Sequence, residues 1–114
     1  MIATITRDEL KRKMDRGDAF TLVETLPEGG FGEVHLPGAV DLPPKQLRKR
    51  AASILPDKDA EIIVYGASPT SDTSARVRRE LDAMGYRNVK VYREGKTDWV
   101  RAGLPTEGKA RLPK

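Results

Sequence analysis

Residues 61–81 have the sequence EIIVYGASPTSDTSARVRREL, and the fold is most directly predicted from this stretch. Its first residues are nearly all apolar or β-branched, which is typical of a strand that is covered on both faces. Small and hydroxylated residues follow from Gly66 to Ser74, and Val77 and Leu81 then share one face of an amphipathic helix. A strand that leads through such a loop into a helix predicts a βα unit. In parallel sheets this loop lies at the carboxyl edge, where ligands bind.

Strands and helices alternate along the rest of the chain. Further strand patterns occupy residues 20–26, 39–42 and 88–92. A first helix begins at the capping box of Thr6 and Glu9 and ends at Gly17, and a second lies between Pro44 and Pro56. The helix after the loop ends at Gly85. Thr97 caps a short last helix that contains Trp99. This alternation predicts an α/β domain with a largely parallel sheet.

The chain has 114 residues and no cysteine. The length fits one domain, predicted at residues 1–108, with a basic tail at 109–114. The absence of cysteine excludes disulfides, thiolate metal sites and thiol nucleophiles. No apolar run approaches the roughly 20 residues that span a bilayer, and no secretory signal is recognisable. We therefore expect no membrane contact and a cytoplasmic location.

Three segments carry a family resemblance. Residues 22–43 (LVETLPEGGFGEVHLPGAVDLP) contain a His-Leu-Pro-Gly-Ala turn at 35–39, residues 62–92 contain the strand, loop and helix followed by a Gly-Tyr-x-Asn-Val turn at 85–89, and residues 95–105 have the sequence GKTDWVRAGLP. In this order the segments resemble a single rhodanese-like (sulfurtransferase) domain over about residues 6–108. The resemblance implies a three-layer fold, whose central, mainly parallel sheet of about five strands is flanked by helices.

The same resemblance shows what this chain lacks. In active relatives the strand before the loop ends Val-Tyr-Cys, and that cysteine carries a persulfide. Gly66 stands at this position, and Ser71 stands where some relatives with a longer loop have a second cysteine. The arginine that often lies near the end of the loop is also missing. The family's sulfur transfer therefore has no residue to carry it, and we predict no catalytic residue.

The loop remains a candidate anion site. The resemblance implies that its amides form a shallow bowl above a helix N-terminus, and amides together with the helix dipole attract anions without any side chain. Hydroxyl groups add possible donors, whereas the charge of Asp72 would repel an anion, and such a residue more often caps a helix. The candidate residues are Gly66, Ala67, Ser68, Pro69, Thr70, Ser71, Asp72, Thr73 and Ser74. The alternative is a connecting loop that binds no ligand.

Other residues favour a structural role. A loop serine would need an adjacent base, and the single histidine, His35, is interpreted as part of a packed turn. One histidine without a thiol predicts no metal site, and no cofactor is predicted. The basic runs at 47–50 and 76–79 are interpreted as exposed helix faces. The net charge of +4 favours anionic partners only weakly, and six aromatic residues offer little base stacking, so we predict no nucleic-acid binding.

These patterns predict a catalytically inactive rhodanese-like domain that acts as a binding or regulatory module. Its expected ligand is a protein partner or a small oxyanion, and the expected state is a monomer or a weak dimer. Two alternatives stay open. One is a thiosulfate sulfurtransferase-like enzyme with residual or altered chemistry, and the other is a cysteine-free variant of an active rhodanese.

Overall fold

Four parallel strands form the central sheet. They are β1 (Thr21–Glu24), β2 (Val40–Asp41), β3 (Ile62–Tyr65) and β4 (Val89–Tyr92), arranged in the order β2-β1-β3-β4. All three neighbouring pairs are parallel. The structure, a computed structural model, describes residues 3–26, 34–70 and 72–108.

The sheet has one strand fewer than the predicted five among the described residues. The N-terminal segment does run beside the outer edge of β4, where the Ile5 amide donates to the Val91 carbonyl oxygen and the Val91 amide donates to the Ala3 carbonyl oxygen. Only Thr4 forms a parallel bridge there, opposite Val91. A single bridge is too short to count as a strand.

Within the described ranges, four helices cover the two faces of the sheet. They are α1 (Arg7–Arg16), α2 (Leu47–Ile54), α3 (Thr73–Ala83) and α4 (Gly95–Arg101), with a 3₁₀ turn at Pro44–Gln46 before α2. Leu10 of α1 and Trp99 of α4 pack with one side of the strands, together with Leu22, Ile63, Tyr65 and Tyr92. Residues Leu47, Ala51, Val77 and Leu81 of α2 and α3 pack with the other side, on Val23, Val64 and Val91. The predicted three-layer α/β fold is confirmed.

The ends of α1 and α3 follow from their sequences. The Thr6 hydroxyl accepts a hydrogen bond from the Glu9 amide, and the Glu9 carboxylate accepts one from the Thr6 amide, so the predicted capping box is present. Gly17 ends α1 with a φ of 73°, a left-handed conformation that glycine adopts without strain. At the end of α3 the C-cap is Met84, and Gly85 follows it with a φ of 96°.

The predicted start of α4 is wrong. Thr97 lies inside the helix, which begins at Gly95 after the N-cap residue Glu94. No side-chain cap is needed, because backbone carbonyl groups from the loop after β3 accept hydrogen bonds from the first amides of this helix.

Candidate functional site

The loop between β3 and α3 lies at the carboxyl edge of the sheet. Gly66 is buried directly after β3, Ala67 and Ser68 are half-buried, and Thr70 and Asp72 are exposed. Ser71, the predicted second thiol position, lies outside the described residues. The structure therefore brings the described candidate residues together in one connection, as the sequence predicts, with Gly66 at its base.

Helix α4 determines which way the loop peptides point. The Lys96 amide donates to the Gly66 carbonyl oxygen at 2.9 Å, and the Thr97 amide donates to the Ala67 carbonyl oxygen at 2.9 Å. In a planar trans peptide the N–H group points opposite to the C=O group. The amides of Ala67 and Ser68 consequently point away from α4, and no acceptor within residues 3–26, 34–70 or 72–108 is bonded to them.

A glycine makes this close contact possible. Gly95 has a φ of 74°, and a Cβ atom at this position would lie 2.6 Å from the Gly66 carbonyl oxygen and 3.0 Å from the Ser68 nitrogen. Both contacts are to backbone atoms, which cannot turn aside as a flexible side chain can. Only glycine fits here without displacing the loop.

Thr25 joins the end of β1 to the start of α3 beneath the loop. Its hydroxyl, which is fully buried, donates to the Tyr65 carbonyl oxygen at 3.0 Å and lies 3.2 Å from the Thr73 hydroxyl. Because the single hydroxyl hydrogen of Thr25 is directed to Tyr65, Thr73 supplies the hydrogen between the two threonines. The Thr73 hydroxyl therefore helps to support the loop, and its contribution to an anion site stays a prediction.

A buried ionic network lies on the other side of the sheet. The Glu24 carboxylate is fully buried; it accepts a hydrogen bond from the Tyr65 hydroxyl at 2.6 Å and pairs with the Lys96 ammonium at 3.0 Å. The Tyr65 hydroxyl also accepts a hydrogen bond from the Leu36 amide. Burial, and then the negative charge of Glu24, raise the pKa of Tyr65 well above its usual value, so this phenol stays neutral and donates.

Sequence patterns did not reveal this network. The glutamate interrupts an apolar strand, and that interruption is the one sequence signal of a buried polar site. Its lysine partner is distant in the chain.

Asp72 occupies the N-cap position of α3 but makes no side-chain cap hydrogen bond. Its ψ of 5° explains this difference from the prediction, because a capping side chain reaches the helix amides from an extended backbone. The carboxylate instead lies on the wall of a groove of about 490 Å³ beside the loop. The groove is also lined by Thr70 and Ser74 and by Arg93 from the residue after β4. The Ser68 and Thr70 hydroxyls are 2.9 Å apart, so one donates to the other.

The remaining candidate residues have structural contacts. The backbone of His35 pairs with that of Glu107 through two hydrogen bonds of 2.8 Å, and its imidazole Nε2 lies 3.7 Å from the Glu107 carboxylate. Trp99 is fully buried and its indole donates to the Pro105 carbonyl oxygen. Arg78, predicted as exposed, is mostly buried and pairs with Asp82 at 3.0 Å.

No metal site or membrane span appears in the part of the chain that the structure describes. Within it, no three His, Asp or Glu side chains lie close enough together to hold a metal ion. The helices in the same ranges are too short and too polar to cross a bilayer.

Known proteins with similar sequences support this architecture. The profile of the rhodanese-like domain matches residues 6–102. HTH-type transcriptional regulator Rv0324 of Mycobacterium tuberculosis is 33% identical over 104 residues, which are 90% of this chain and 44% of that protein. The chain thus spans less than half the length of this curated relative.

Solved structures agree with the family profile. The rhodanese-like domain of Alr3790 from Anabaena has a TM-score of 0.85 and 28% identity, with 100% of this chain and 86% of that chain covered. BH2092 of Bacillus halodurans has a TM-score of 0.85 at 18% identity, with coverage of 95% and 78%. Thiosulfate sulfurtransferase of Pseudomonas aeruginosa has a TM-score of 0.79 at 20% identity, with coverage of 94% and 20%. The last two likenesses show the fold alone, whereas the profile covers most of the sequence, and the chain therefore belongs to the rhodanese-like domain family.

Proposed function

We propose that this rhodanese-like domain does not transfer sulfur and serves as a binding or regulatory module. One observation carries the proposal: the chain contains no cysteine, and Gly66 follows β3 where the family has its nucleophile. A thiolate takes the sulfane sulfur of thiosulfate as a persulfide and releases sulfite. A glycine offers no side chain for that step, and a hydroxyl group does not form an equivalent sulfur carrier.

The described loop residues offer no hydroxyl group with a base beside it that could replace the thiol. Serine attack requires a neighbouring base. Ser68 is hydrogen-bonded to Thr70, and the single histidine of the chain is held between its turn and Glu107. These contacts give no support to an alternative covalent chemistry.

The loop is the ligand site in this proposal, and a small oxyanion is its ligand. Support comes from the amides of Ala67 and Ser68, which point away from α4, and from the amides of the first turn of α3, an eleven-residue helix. Asp72 limits the affinity, because it lines the groove beside the loop and its negative charge repels an anion. A weak site of this kind suits a module that senses an anion and releases it again.

The relative named HTH-type transcriptional regulator supports the regulatory part of the proposal. Its identity of 33% extends over 90% of this chain, although the chain spans only 44% of that protein. We propose that this chain likewise has a regulatory role.

The test exposes the wild-type protein to thiosulfate and follows the same sample by intact-mass spectrometry and by amide NMR. We expect no gain of mass, and no thiocyanate above background after cyanide is added, because no thiol is present. We also expect amide shifts confined to residues 66–70 and the first turn of α3. A parallel sample with Gly66→Cys provides a thiol at the family position for comparison.

Two results would contradict the two parts of the proposal separately. A covalently attached sulfur on the wild-type chain, removable by a reductant, would establish sulfur transfer. Unchanged loop amides in the presence of thiosulfate, sulfate and phosphate would exclude the loop as an oxyanion site and would leave the absence of sulfur transfer untouched.

A further inference from the structure

Helices α2 and α3 and the 3₁₀ turn before α2 carry a group of exposed cations, which we name the basic surface. It consists of Lys45, Arg48, Lys49, Arg76 and Arg79. The apolar faces of both helices pack into one core, through Leu47 and Ala51 on α2 and Val77 and Leu81 on α3. The polar faces of the two helices therefore both point outward on the same side of the sheet.

One ion pair connects the two halves of this surface. The Arg48 guanidinium lies 3.6 Å from the Glu80 carboxylate, so Glu80 lies on the flank of α3 that faces α2. Arg76 precedes Glu80 by one helical turn, and Arg79 lies three residues beyond Arg76, which places them on neighbouring positions of the same helix. Arg48 and Arg76 thus lie on the flanks that border the contact between α2 and α3, and Lys45, Lys49 and Arg79 are exposed on the outward faces beside it.

The charge of the basic surface is largely uncompensated. Among the described residues, the carboxylate of Glu80 beside Arg48 is the one that lies within 4.0 Å of these cations. Lys45, Lys49, Arg76 and Arg79 have no carboxylate within 4.0 Å among the described residues. By contrast, α1 and β4 hold their lysines in ion pairs, for example those of Lys13 and Lys90 with Glu61.

We propose that the basic surface binds an acidic polypeptide segment, an inference that takes the binding role proposed above as its starting point. Complementary charge steers such a partner to the surface and sets its orientation. Arg76 lies near the start of α3, directly after the candidate loop. An acidic peptide bound to Arg76 would therefore also lie close to this loop. Occupancy of the loop and binding of the partner would then influence each other.

A polypeptide fits this surface better than a nucleic acid does. The Glu80 carboxylate lies beside Arg48 and can accept hydrogen bonds from the amides of a peptide, whereas a phosphate backbone has no donor to offer it. Base stacking also needs exposed aromatic rings. Among the described residues, Tyr65, Tyr86, Tyr92 and Trp99 are buried and Phe20 is half-buried on the opposite side of the sheet.

The experiment measures the binding of a short fluorescein-labelled peptide of alternating Glu and Ser by fluorescence anisotropy. The test variant is K45E/R76E/R79E. The matched control is R12E/R87E/R101E, which reverses three exposed charges outside the basic surface and changes the net charge by the same amount. We expect the test variant to bind about tenfold more weakly, from the loss of three exposed ion pairs, and the control to lose less than about twofold at physiological ionic strength.

Amide NMR of the wild type with the same peptide should place the shifts at residues 45–49 and 76–80. An equal loss of binding in both triple variants would overturn the inference, because net charge alone would then explain it. So would tighter binding of a mixed-sequence DNA duplex than of the peptide at matched charge, or no saturable binding of the peptide. None of these outcomes bears on sulfur transfer, which the mass measurement above tests separately.

Discussion

Gly95 shows how a residue without a side chain fixes the position of the candidate loop. Two separate features demand glycine at this position. The backbone is left-handed, and a Cβ atom here would lie only 2.6 Å from the Gly66 carbonyl oxygen. Gly103 makes only the first demand, since its φ is also 74° but no described atom lies within 4 Å of the position that a Cβ would take. The two glycines therefore form a matched pair.

Substitution of each glycine by alanine separates the two demands. Both Gly95→Ala and Gly103→Ala carry the left-handed penalty of roughly 1–2 kcal/mol. Only Gly95→Ala must also displace loop backbone, which we expect to add about 1–3 kcal/mol to the loss of unfolding free energy. Urea unfolding of both variants measures the difference, and equal losses would mean that the loop yields to a methyl group without cost.

At the scale of elements, a buried ion pair attaches α4 to the sheet. Lys96 lies in the first turn of α4 and pairs with Glu24 of β1, whose carboxylate is fully buried while the lysine side chain is 14% exposed. Removal of one partner from a buried pair leaves an uncompensated charge in a medium of low polarity. This contact should therefore influence stability far more than a surface ion pair does.

Lys96→Met tests this expectation. We expect a loss of about 3–5 kcal/mol in unfolding free energy, because Glu24 remains buried without its cation. The double variant K96M/E24Q should regain part of that loss, since the charge is then gone. The control is Lys11→Met, which breaks the exposed Lys11–Asp15 pair and should cost less than about 1 kcal/mol. If Lys11→Met and Lys96→Met lower the unfolding free energy by similar amounts in chemical unfolding, the buried pair stabilises the fold no more than an exposed pair does.

The elements that could be predicted from the sequence are those whose signals are local. Apolar periodicity, the capping box at Thr6 and the glycine at 17 lie within or beside the helix that they define, and β3 is a continuous apolar run. The start of α4 could not be predicted in this way, because the groups that cap it are the carbonyls of Gly66 and Ala67. Nothing near Thr97 in the chain carries that information.

The candidate site shows the same division. The position of the loop follows from the strand and helix that flank it, and the missing thiol is visible in the sequence. The support under the loop is not, since Thr25 meets Tyr65 and Thr73 only after β1 and β3 have paired. The residue type of Asp72 predicts a capping hydrogen bond. Its backbone conformation does not allow that bond, and the sequence does not specify this conformation.

At the scale of the whole molecule, charges are arranged differently on the two sides of the sheet. On the side of α1, the Glu61 carboxylate joins the helix to the edge of the sheet by pairing with Lys13 of α1 at 2.8 Å and with Lys90 of β4. On the side of α2 and α3, the cations of the basic surface remain exposed. The first arrangement contributes to stability, whereas the second is available to a partner.

The Glu61 cluster predicts how stability responds to acid. Burial alone would raise the pKa of Glu61, but hydrogen bonds and charge from Lys13 and Lys90 lower it below its usual value. A carboxyl group whose pKa is lower in the folded state stabilises the fold above its unfolded pKa of about 4.3, and this contribution is lost as the pH falls through the folded value.

Glu61→Gln should therefore be less stable than the wild type at neutral pH, and its unfolding free energy should fall less steeply below about pH 5. In Lys13→Met the unfolding free energy should also depend less steeply on pH in this acid range, but the effect should be smaller. One of the two cations that lower the pKa of Glu61 remains in this variant. Urea unfolding of all three proteins across the acid range provides the measurement. If the profiles of Glu61→Gln and the wild type run parallel, the ion pairs of Glu61 contribute nothing to the stability of the fold.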